Sequence, residues 1–301
     1  MDATILIPTC NRPEALAACL RLLVPQIPTD GSFELLVTDD SSATDTRDML
    51  GREFPAAQWM RGPRRGPGAN RNAGVRSARG GWVIFLDDDC LPVPGLLSAY
   101  MTAIAGVAAG SAVVLVGKTV PGEGSRDSLL WESPGYSGSE PLPPSCNFAA
   151  RRDLFEKSGG FDERFRISFE DMEMFSRFQL SGVEIRFVPG ALVGHPMRMV
   201  PSAAKLADRW EARVVSTHDL GASSAQILLL LPRHVAAVIV SRFRNPKTGR
   251  GRLPAAFLFF AEYLFFLVRL PRWVWTVKKS PRSAFWERMV AEGKAPPRFG
   301  L

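Results

Sequence analysis

The chain has 301 residues, long enough to bury a sizeable core, and its 46% hydrophobic content indicates a globular protein. Its cysteines, Cys10, Cys19, Cys90 and Cys146, are too scattered for a CxxC metal site or a disulfide framework, a pattern typical of a reducing cytosol. Residues 1–9 lack the basic and apolar regions of a signal peptide, so we expect none there.

The net charge of +7 is unevenly distributed along the chain. Residues 1–197 carry 19 Lys or Arg against 24 Asp or Glu, a net charge of −5, whereas residues 198–301 carry 18 against 6, a net charge of +12. This asymmetry indicates two functions, with an anionic polymer or surface as the partner of the basic part. Nucleic acid is one such partner, but the apolar segments of that part favour anionic lipid.

The first 80 residues predict strands that alternate with helices. Strands are predicted at residues 3–7, 33–38 and 58–61, and helices at residues 14–24, 46–54 and from 66 to about 79. Because these strands end in polar loops and are separated by helices, the pattern predicts a parallel sheet of the βαβ type.

A central apolar segment, residues 81–86, breaks abruptly into Asp87, Asp88 and Asp89. The segment predicts a buried strand, and ligands bind at the carboxyl ends of strands in open α/β sheets. On an extended segment Asp87 and Asp89 point to the same side, so these two carboxylates can converge on one hard cation. A solvated acidic loop or an Asp-rich helix N-terminus would give the same sequence.

The next hundred residues continue the alternation. Strands or extended segments are predicted at residues 112–118, 145–150 and 183–188, and helices at residues 96–107 and 152–158. Residues 191–195 then lead to a lone histidine, His195. Another helix is predicted from Ser168, which can cap it, with Glu170 and Asp171 in its first turn. Those two acids are either ordinary caps or functional groups. Residues 121–144, rich in Gly, Ser and Pro, form either a lid or acceptor loop or a plain insertion.

Seven short motifs together resemble the family 2 glycosyltransferases over residues 3–197, in that family's order and spacing. They are Ile7-Pro8-Thr9-Cys10-Asn11-Arg12-Pro13, Val37-Thr38-Asp39-Asp40-Ser41-Ser42, Arg71-Asn72-Ala73-Gly74, Phe85-Leu86-Asp87-Asp88-Asp89, Asn147-Phe148-Ala149, Gly159-Gly160-Phe161-Asp162-Glu163 and Glu170-Asp171. The resemblance implies the GT-A fold, an α/β fold with a Rossmann-like, mostly parallel sheet flanked by helices. It also implies a nucleotide-diphosphate sugar donor, a DXD motif that uses Mn²⁺ or Mg²⁺, and inversion at the anomeric carbon.

The resemblance also implies roles for individual residues. Pro8, Thr9, Asn11 and Arg12 would lie beside the base and ribose, Asp39 would contact the base edge, and Arg71, Asp87 and Asp88 would complete the nucleotide-sugar site. Asp89 would be the direct metal ligand, together with Asp87 and with His195 if that residue is not merely structural. Asp171 would be the catalytic base and Glu170 would orient the acceptor or the base. UDP is the expected nucleotide, with dTDP and GDP left open.

The physical chemistry of the reaction agrees with this division between two acidic sites. A hard cation held by Asp87 and Asp89 can neutralise the charge that develops on a leaving diphosphate. Asp171 can accept the proton of an attacking hydroxyl, a contribution of about 10²- to 10⁴-fold.

Two apolar segments, residues 225–240 and 254–277, mark the basic part of the chain. Pro232, Arg233 and His234 interrupt the first, and Glu262 and Arg269 lie in the second, so helices in the membrane interface fit better than spans. Leu229, Phe257, Phe260, Phe265 and Trp275 would face lipid, with Arg242, Arg244, Lys247, Arg250, Arg252, Lys278, Lys279 and Arg282 at the headgroups. A helical subdomain packed on the catalytic core or on another subunit is the alternative.

The sequence therefore predicts a nucleotide-sugar glycosyltransferase domain at residues 1–197 and a helical, membrane-associating region at residues 198–301. The expected enzyme is metal-dependent and inverting, transfers to a glycan or lipid-linked acceptor, binds no nucleic acid, and lies in the cytoplasm on the inner face of the cell membrane. A noncatalytic membrane-bound scaffold with the same fold is the alternative. A nucleotidyltransferase is disfavoured, because no Gly-rich loop with a Lys occurs near residue 10.

Overall fold

A computed structural model describes residues 1–122, 129–132, 145–243 and 252–294. The chain divides into two compact units, which we call unit 1 (residues 1–125 and 133–197) and unit 2 (residues 126–132 and 198–301). That each unit is an independent domain stays a prediction. The predicted lid or insertion at residues 121–144 lies almost entirely outside the described residues.

Ten strands are described, eight of them in one sheet of unit 1. They are β1 (Ala3–Thr9), β2 (Phe33–Asp39), β3 (Gln58–Arg61), β4 (Trp82–Leu86), β5 (Leu91–Pro92), β6 (Val113–Pro121), β7 (Trp131–Glu132), β8 (Asn147–Arg151), β9 (Glu184–His195) and β10 (Arg198–Met199). The sheet order is β3-β2-β1-β4-β8-β6-β9-β5, while β7 and β10 pair antiparallel in unit 2.

The predicted parallel sheet is confirmed for its first four strands. β2 pairs parallel with β1 and β3, and β1 pairs parallel with β4. β6 and β9 are also parallel, whereas β8 runs antiparallel to β4 and β6, and β5 antiparallel to β9. The sheet is therefore mostly parallel, with two reversed strands, β8 near its centre and β5 at one edge.

Six helices cover the two faces of this sheet: α1 (Pro13–Leu23), α2 (Asp45–Glu53), α3 (Pro67–Ser77), α4 (Leu96–Ala105), α5 (Arg152–Lys157) and α6 (Glu170–Leu180). Alternate strand residues enter two separate cores, because successive side chains of a strand point to opposite faces. Ile5 and Ile84 lie in the core with α1, α2 and α4, whereas Leu6 and Phe85 lie in the core with α5 and α6. Burial on both faces explains why β1 and β4 are apolar along their length.

Two predictions about local structure need correction. The strand predicted at residues 183–188 continues to His195, across an irregularity in its pairing with β6 at Gly117 and Lys118. The helix predicted from Ser168 begins at Glu170, because Phe169 adopts a left-handed conformation with φ of 77° and occupies the N-cap position. Glu170 and Asp171 still lie in the first turn of α6.

Unit 2 is helical, with α7 (Ala203–Asp208), α8 (Glu211–Asp219), α9 (Ser224–Arg242), α10 (Arg252–Lys278) and α11 (Ala284–Ala291). A capping box between Ser223 and Gln226 starts α9. α10 contacts α7, α8 and α9. By length and composition alone, α9 and α10 could each cross a membrane.

Candidate active site

The three aspartates after β4 lie in a turn, which the backbone amide of Cys90 closes by donating to the carbonyl oxygen of Asp87 at 3.1 Å. Asp88 is fully buried. It accepts a hydrogen bond from Thr9 Oγ1 at 2.7 Å and forms an ion pair with Arg12, whose Nη2 lies 2.6 Å away. Asp87 and Asp89 remain partly exposed, 24% and 15% of their side-chain surface respectively. Asp87 and Asp89 do offer ligand atoms to one place, but they lie on a turn and not on the extended segment that we predicted, and Arg12 pairs with Asp88 and Asp89 alike. Asp88 ties β4 to the loop that follows β1.

Asp87, Asp89 and His195 form a group that could hold a metal ion. Each offers one ligand atom, and these atoms lie within 4.8 Å of one another. His195 Nδ1 lies 3.0 Å from the carbonyl oxygen of Pro196, which can only accept a hydrogen bond, so Nδ1 carries the hydrogen and Nε2 faces Asp89 at 3.1 Å. A carbonyl that fixes the imidazole in this way is the usual support of a metal-binding histidine. Two carboxylates and an imidazole fit a divalent cation.

The pKa of His195 reflects its position beside Asp89. Burial lowers this pKa, but the hydrogen bond to Asp89 and the charge of that carboxylate raise it by more, so the net shift is upward. Arg12 Nη1 also lies 2.8 Å from Asp89 Oδ2. Asp89 is therefore in contact with both Arg12 and His195.

Arg71 connects the end of β4 with the start of α6. Its Nη2 lies 2.5 Å from Asp87 Oδ1, and its Nη1 lies 3.2 Å from Glu170 Oε1. Only 4% of the Arg71 side chain is exposed, and its guanidinium lies 5.4 Å from the centre of the Phe161 ring. One buried arginine thus brings together carboxylates that are 83 positions apart in the chain.

Glu170 and Asp171 have pKa values shifted upward. Burial raises the pKa of Glu170 to about 7, helped by the charge of Asp171 and opposed by Arg71. Burial also raises the pKa of Asp171, against hydrogen bonds from the backbone amides of Met172 and Ser145. A carboxylate whose pKa moves toward neutrality is a better proton acceptor at neutral pH.

The loops after β1 and β2 are bound to each other. The backbone amide of Asn11 donates to Ser41 Oγ at 2.7 Å, and Asn11 Oδ1 accepts from the amide of Ser42. Asn11 has φ of 54°, a left-handed conformation that asparagine tolerates better than most residues. Asp39 is fully buried and accepts from Ser41 N at 2.8 Å and from Trp59 Nε1 at 3.1 Å. These bonds fix the shape of the loop pair.

Two asparagines that sequence reasoning missed flank Arg71 on α3. Asn70 Nδ2 donates to the carbonyl oxygens of Thr9 and Thr38, at the ends of β1 and β2. Asn72 exchanges two hydrogen bonds with the backbone of Phe161, at 2.8 Å and 2.9 Å. We call Asn70, Arg71 and Asn72 the α3 clamp. A signal was present in the sequence, because α3 has no apolar stripe and therefore must pack through polar side chains.

Trp59 and Asn147 were also missed as supporting residues. Trp59 Nε1 donates a hydrogen bond to Oδ2 of Asp39. Asn147 accepts from the Tyr100 hydroxyl at 2.7 Å and donates to the carbonyl oxygens of Lys118 and Ala191. It thereby links β8 with β6 and β9, close to the strand that ends in His195.

The structure brings the predicted residues of unit 1 into one connected set. Three groups can be distinguished by their contacts: Thr9, Arg12, Asp88, Asp89 and His195; Arg71, Asp87 and Glu170; and Asn11 with Asp39 through Ser41. Asp171 follows Glu170 in α6 and accepts hydrogen bonds from the backbone amides of Met172 and Ser145. Asp87 and Asp89 join the first two groups, and Pro8 is buried within β1. Acids from distant parts of the sequence thus meet at the carboxyl ends of β1 and β4.

A mostly parallel sheet with acidic groups at its carboxyl edge is what the GT-A fold predicts, and the comparisons with known proteins agree. Residues 4–159 match the model of glycosyl transferase family 2, so the chain belongs to that family. It is 28% identical over 272 residues to the pre-mycofactocin glycosyltransferase of Mycobacterium tuberculosis, covering 84% of this chain and 54% of that protein. It is 26% identical over 209 residues to glycosyltransferase AglE of Haloferax volcanii, covering 65% of this chain and 67% of that protein.

Solved structures support the fold. The crystal structure of S. aureus TarS 1-349 in complex with UDP-GlcNAc superposes with a TM-score of 0.57 and 17% identity, covering 98% of this chain and 93% of that one. The mannosyltransferase PcManGT of Pyrobaculum calidifontis, in complex with GDP-Man and Mn²⁺, gives a TM-score of 0.52 and 20% identity, covering 97% and 79%. The predicted GT-A fold is confirmed. The chain spans about half the length of the first curated relative, at 54%.

Proposed function

We propose that this glycosyltransferase is metal-dependent and inverting, and that it moves a sugar from a nucleotide-diphosphate sugar, with UDP as the nucleotide, to an acceptor hydroxyl. The observation that carries the proposal is the convergence of Asp87, Asp89 and His195 on one side of Arg71 and of Glu170 on the other. Similar structures were solved with UDP-GlcNAc, with GDP-Man and Mn²⁺, and with UDP and Mn²⁺, which supports a nucleotide-sugar donor.

Each residue has a definite part in the proposal. Asp87, Asp89 and His195 would hold Mn²⁺ or Mg²⁺, which when bound neutralises charge on the leaving diphosphate. Asn11 and Arg12 contact the nucleoside. Pro8, Thr9, Asp39 and Asp88 are buried and shape the loops after β1 and β2, which corrects the predicted direct contacts of Thr9 and Asp39, and Arg71 holds Asp87 in place. Asp171 accepts the proton of the acceptor hydroxyl, and Glu170 orients the acceptor or Asp171. In a single displacement the acceptor oxygen bonds to the anomeric carbon on the face opposite the nucleoside diphosphate, whose bond to that carbon breaks, so the configuration is inverted. The diphosphate leaves with the bonding electrons, and Asp171 takes the proton of the acceptor hydroxyl.

The acceptor that we propose is a lipid-linked or envelope glycan at the inner face of the cell membrane. A Campylobacter jejuni relative, 31% identical over 103 residues, is a GalNAc(5)-diNAcBac-PP-undecaprenol beta-1,3-glucosyltransferase. This relative covers 33% of the chain, so it supports the acceptor class only. The apolar helices of unit 2 are compatible with such a location.

Two substitutions test the proposed division of roles. Asp89→Ala should abolish the rise in melting temperature that UDP and Mn²⁺ together produce, because the cation loses its ligand. Asp171→Asn should keep that rise but slow transfer by about 10²- to 10⁴-fold, because only the proton acceptor is lost. Asp30→Asn, at an exposed loop position, is the control and should behave as the wild type.

The measurements are sugar transfer with a panel of nucleotide sugars and thermal unfolding with and without Mn²⁺. Full transfer activity in both variants would overturn the mechanism. A wild-type protein whose melting temperature responds to no nucleotide or metal would instead be the noncatalytic scaffold.

A further inference from the structure

The outer face of α10 is apolar although it is exposed. Its exposed residues follow one another at spacings of four, three, four and four positions, which places them on one side of the helix. They are Leu253 (73% exposed), Phe257 (71%), Phe260 (63%), Leu264 (47%) and Val268 (78%). The exposed side of a helix in a water-soluble bundle is normally polar, so this face calls for a partner.

The opposite face of α10 is occupied by protein. Ala255, Phe259, Phe266 and Leu270 are buried within unit 2. Glu262, the only acid of α10, also points inward, where it accepts hydrogen bonds from Trp210 Nε1 at 2.8 Å and Arg242 Nη1 at 2.6 Å. Its charge is therefore removed from the outer face. Arg242, which we predicted at the headgroups, is instead committed to this inner ion pair.

Neighbouring surfaces are basic. Arg233 of α9 and Arg272, Lys278 and Lys279 near the end of α10 are exposed, and Lys279 Nζ lies 3.3 Å from the centre of the Trp275 ring. A Trp and Lys pair beside an apolar stripe is typical of the headgroup region of a membrane. Two copies of this face would bring like charges together, whereas anionic headgroups would neutralise them.

The contacts of α10 favour an orientation parallel to the membrane plane. Arg269 Nη1 donates to the carbonyl oxygen of Ala204 at 2.6 Å and lies 3.2 Å from Asp208. A spanning α10 would carry α7 and its charged Lys205 and Asp208 toward the hydrocarbon, which is strongly unfavourable. The uncharged outer face from Leu253 to Val268 is also only ~24 Å long, shorter than the roughly 30 Å hydrocarbon core.

We propose that the outer faces of α9 and α10 form a lipid-docking surface that lies in the plane of an anionic bilayer. The surface consists of Leu229, Val240, Leu253, Phe257, Phe260, Leu264, Val268 and Trp275, all exposed. Arg233, Arg272, Lys278 and Lys279 contact the headgroups. The predicted roles of Arg244, Lys247, Arg250 and Arg252 fall outside the described side chains. This inference rests on the membrane location in the proposed function and on none of its chemistry.

Vesicle flotation of the full chain tests the surface. We expect binding to vesicles that contain phosphatidylglycerol, weaker binding to pure phosphatidylcholine, and release at high salt. Phe257→Glu with Phe260→Glu should weaken binding at least roughly ten-fold, because each phenyl ring loses its burial in lipid. Leu22→Glu, at an exposed apolar position of unit 1, should bind as the wild type.

Two further readouts decide the occupant and the orientation. We expect alkaline carbonate to extract the protein from the vesicles, and oriented circular dichroism to show helices in the membrane plane. Resistance to carbonate extraction would show a membrane-spanning helix and overturn the in-plane arrangement. If the double variant floats normally but turns a dimer into a monomer in light scattering, the face binds protein and the proposal is wrong. Equal binding to neutral vesicles would overturn the headgroup contacts.

The outcome is separable from that of the proposed function. The double variant should keep the increase in melting temperature produced by UDP and Mn²⁺, and Asp89→Ala should float normally. Failure of flotation with intact donor binding would reject the docking surface alone, and the reverse result would reject the donor site alone.

Discussion

Arg71 shows how one side chain can organise an acidic site. Burying a guanidinium is strongly unfavourable unless it is paired, and Arg71 pairs with Asp87 on one side and Glu170 on the other. Because the guanidinium is planar and rigid, its two Nη atoms fix the separation of the two carboxylates. A lysine has a single nitrogen and could not hold both in the same geometry. Arg71 therefore acts as a positioning residue between the metal group and the start of α6.

The raised pKa of Glu170 predicts a pH-dependent stability. The folded protein holds this proton up to about pH 7, whereas the ordinary pKa is 4.5, so the stability that the proton contributes is complete below pH 4.5 and is lost as the pH rises to about 7. Glutamine mimics the protonated acid. We therefore expect the free energy of unfolding of the wild type to fall relative to that of Glu170→Gln across this window.

Urea unfolding at a series of pH values in metal-free buffer measures this difference. Glu156→Gln, at an exposed position of α5, is the matched control and should track the wild type throughout. Parallel curves for Glu170→Gln and the wild type would show that burial does not raise the pKa of Glu170.

At the scale of elements, α3 holds the site together, and its close packing depends on Gly74. A Cβ at this position would lie 2.7 Å from Leu6 Cδ2 and 2.9 Å from Thr38 Cγ2, with Leu6 Cδ1 closer still. Gly74→Ala should therefore move α3 away from β1 and β2, lower the free energy of unfolding by about 1–3 kcal/mol, and displace the α3 clamp. Donor binding should weaken with it.

Gly51→Ala in α2 is the control for that substitution. A Cβ at Gly51 meets nothing within 4 Å, so alanine should stabilise the helix by about 0.5–1 kcal/mol. Chemical unfolding and thermal shift with UDP and Mn²⁺ compare the two variants. A Gly74→Ala protein as stable as the wild type, with normal donor binding, would mean that α3 can move without affecting the site.

Local pattern predicted most helices and strands of the sheet, but it carried little information about strand direction and individual long-range contacts. The apolar pattern of residues 82–86 located β4 and the acids at its end, although residues 87–90 form a turn where we predicted an extended segment. The reversed direction of β8 has no local signal, because an apolar strand reads the same in both directions. The contact of Arg71 with Glu170 spans 99 positions and could not be inferred from spacing.

At the scale of the whole molecule, the charge asymmetry of the sequence corresponds to a structural division. The chain divides at Met197, where the composition changes from net acidic to net basic. Each unit has buried apolar residues of its own, such as Ile5 and Phe85 in unit 1 and Leu231 and Phe266 in unit 2. The predicted boundary at residue 197 coincides with one division between the units, although residues 126–132 also belong to unit 2, and that the units are domains stays a prediction. The inward ion pair of Glu262 with Arg242 has no signal in the composition.

Separate cores predict two unfolding transitions in calorimetry. UDP with Mn²⁺ should raise the free energy of unfolding of unit 1 by about 2.7 kcal/mol at a ligand concentration 100 times the Kd, and should leave the transition of unit 2 unchanged.

Glu262→Ala should lower the free energy of unfolding of unit 2 by about 3–5 kcal/mol and leave that of unit 1 unchanged. The reason is that the substitution removes the acceptor of Arg242 and of the indole nitrogen of Trp210. Donor binding by Glu262→Ala should match the wild type. One transition that responds to both changes would mean that the two units unfold together, and the predicted domain boundary would then be a boundary of composition only.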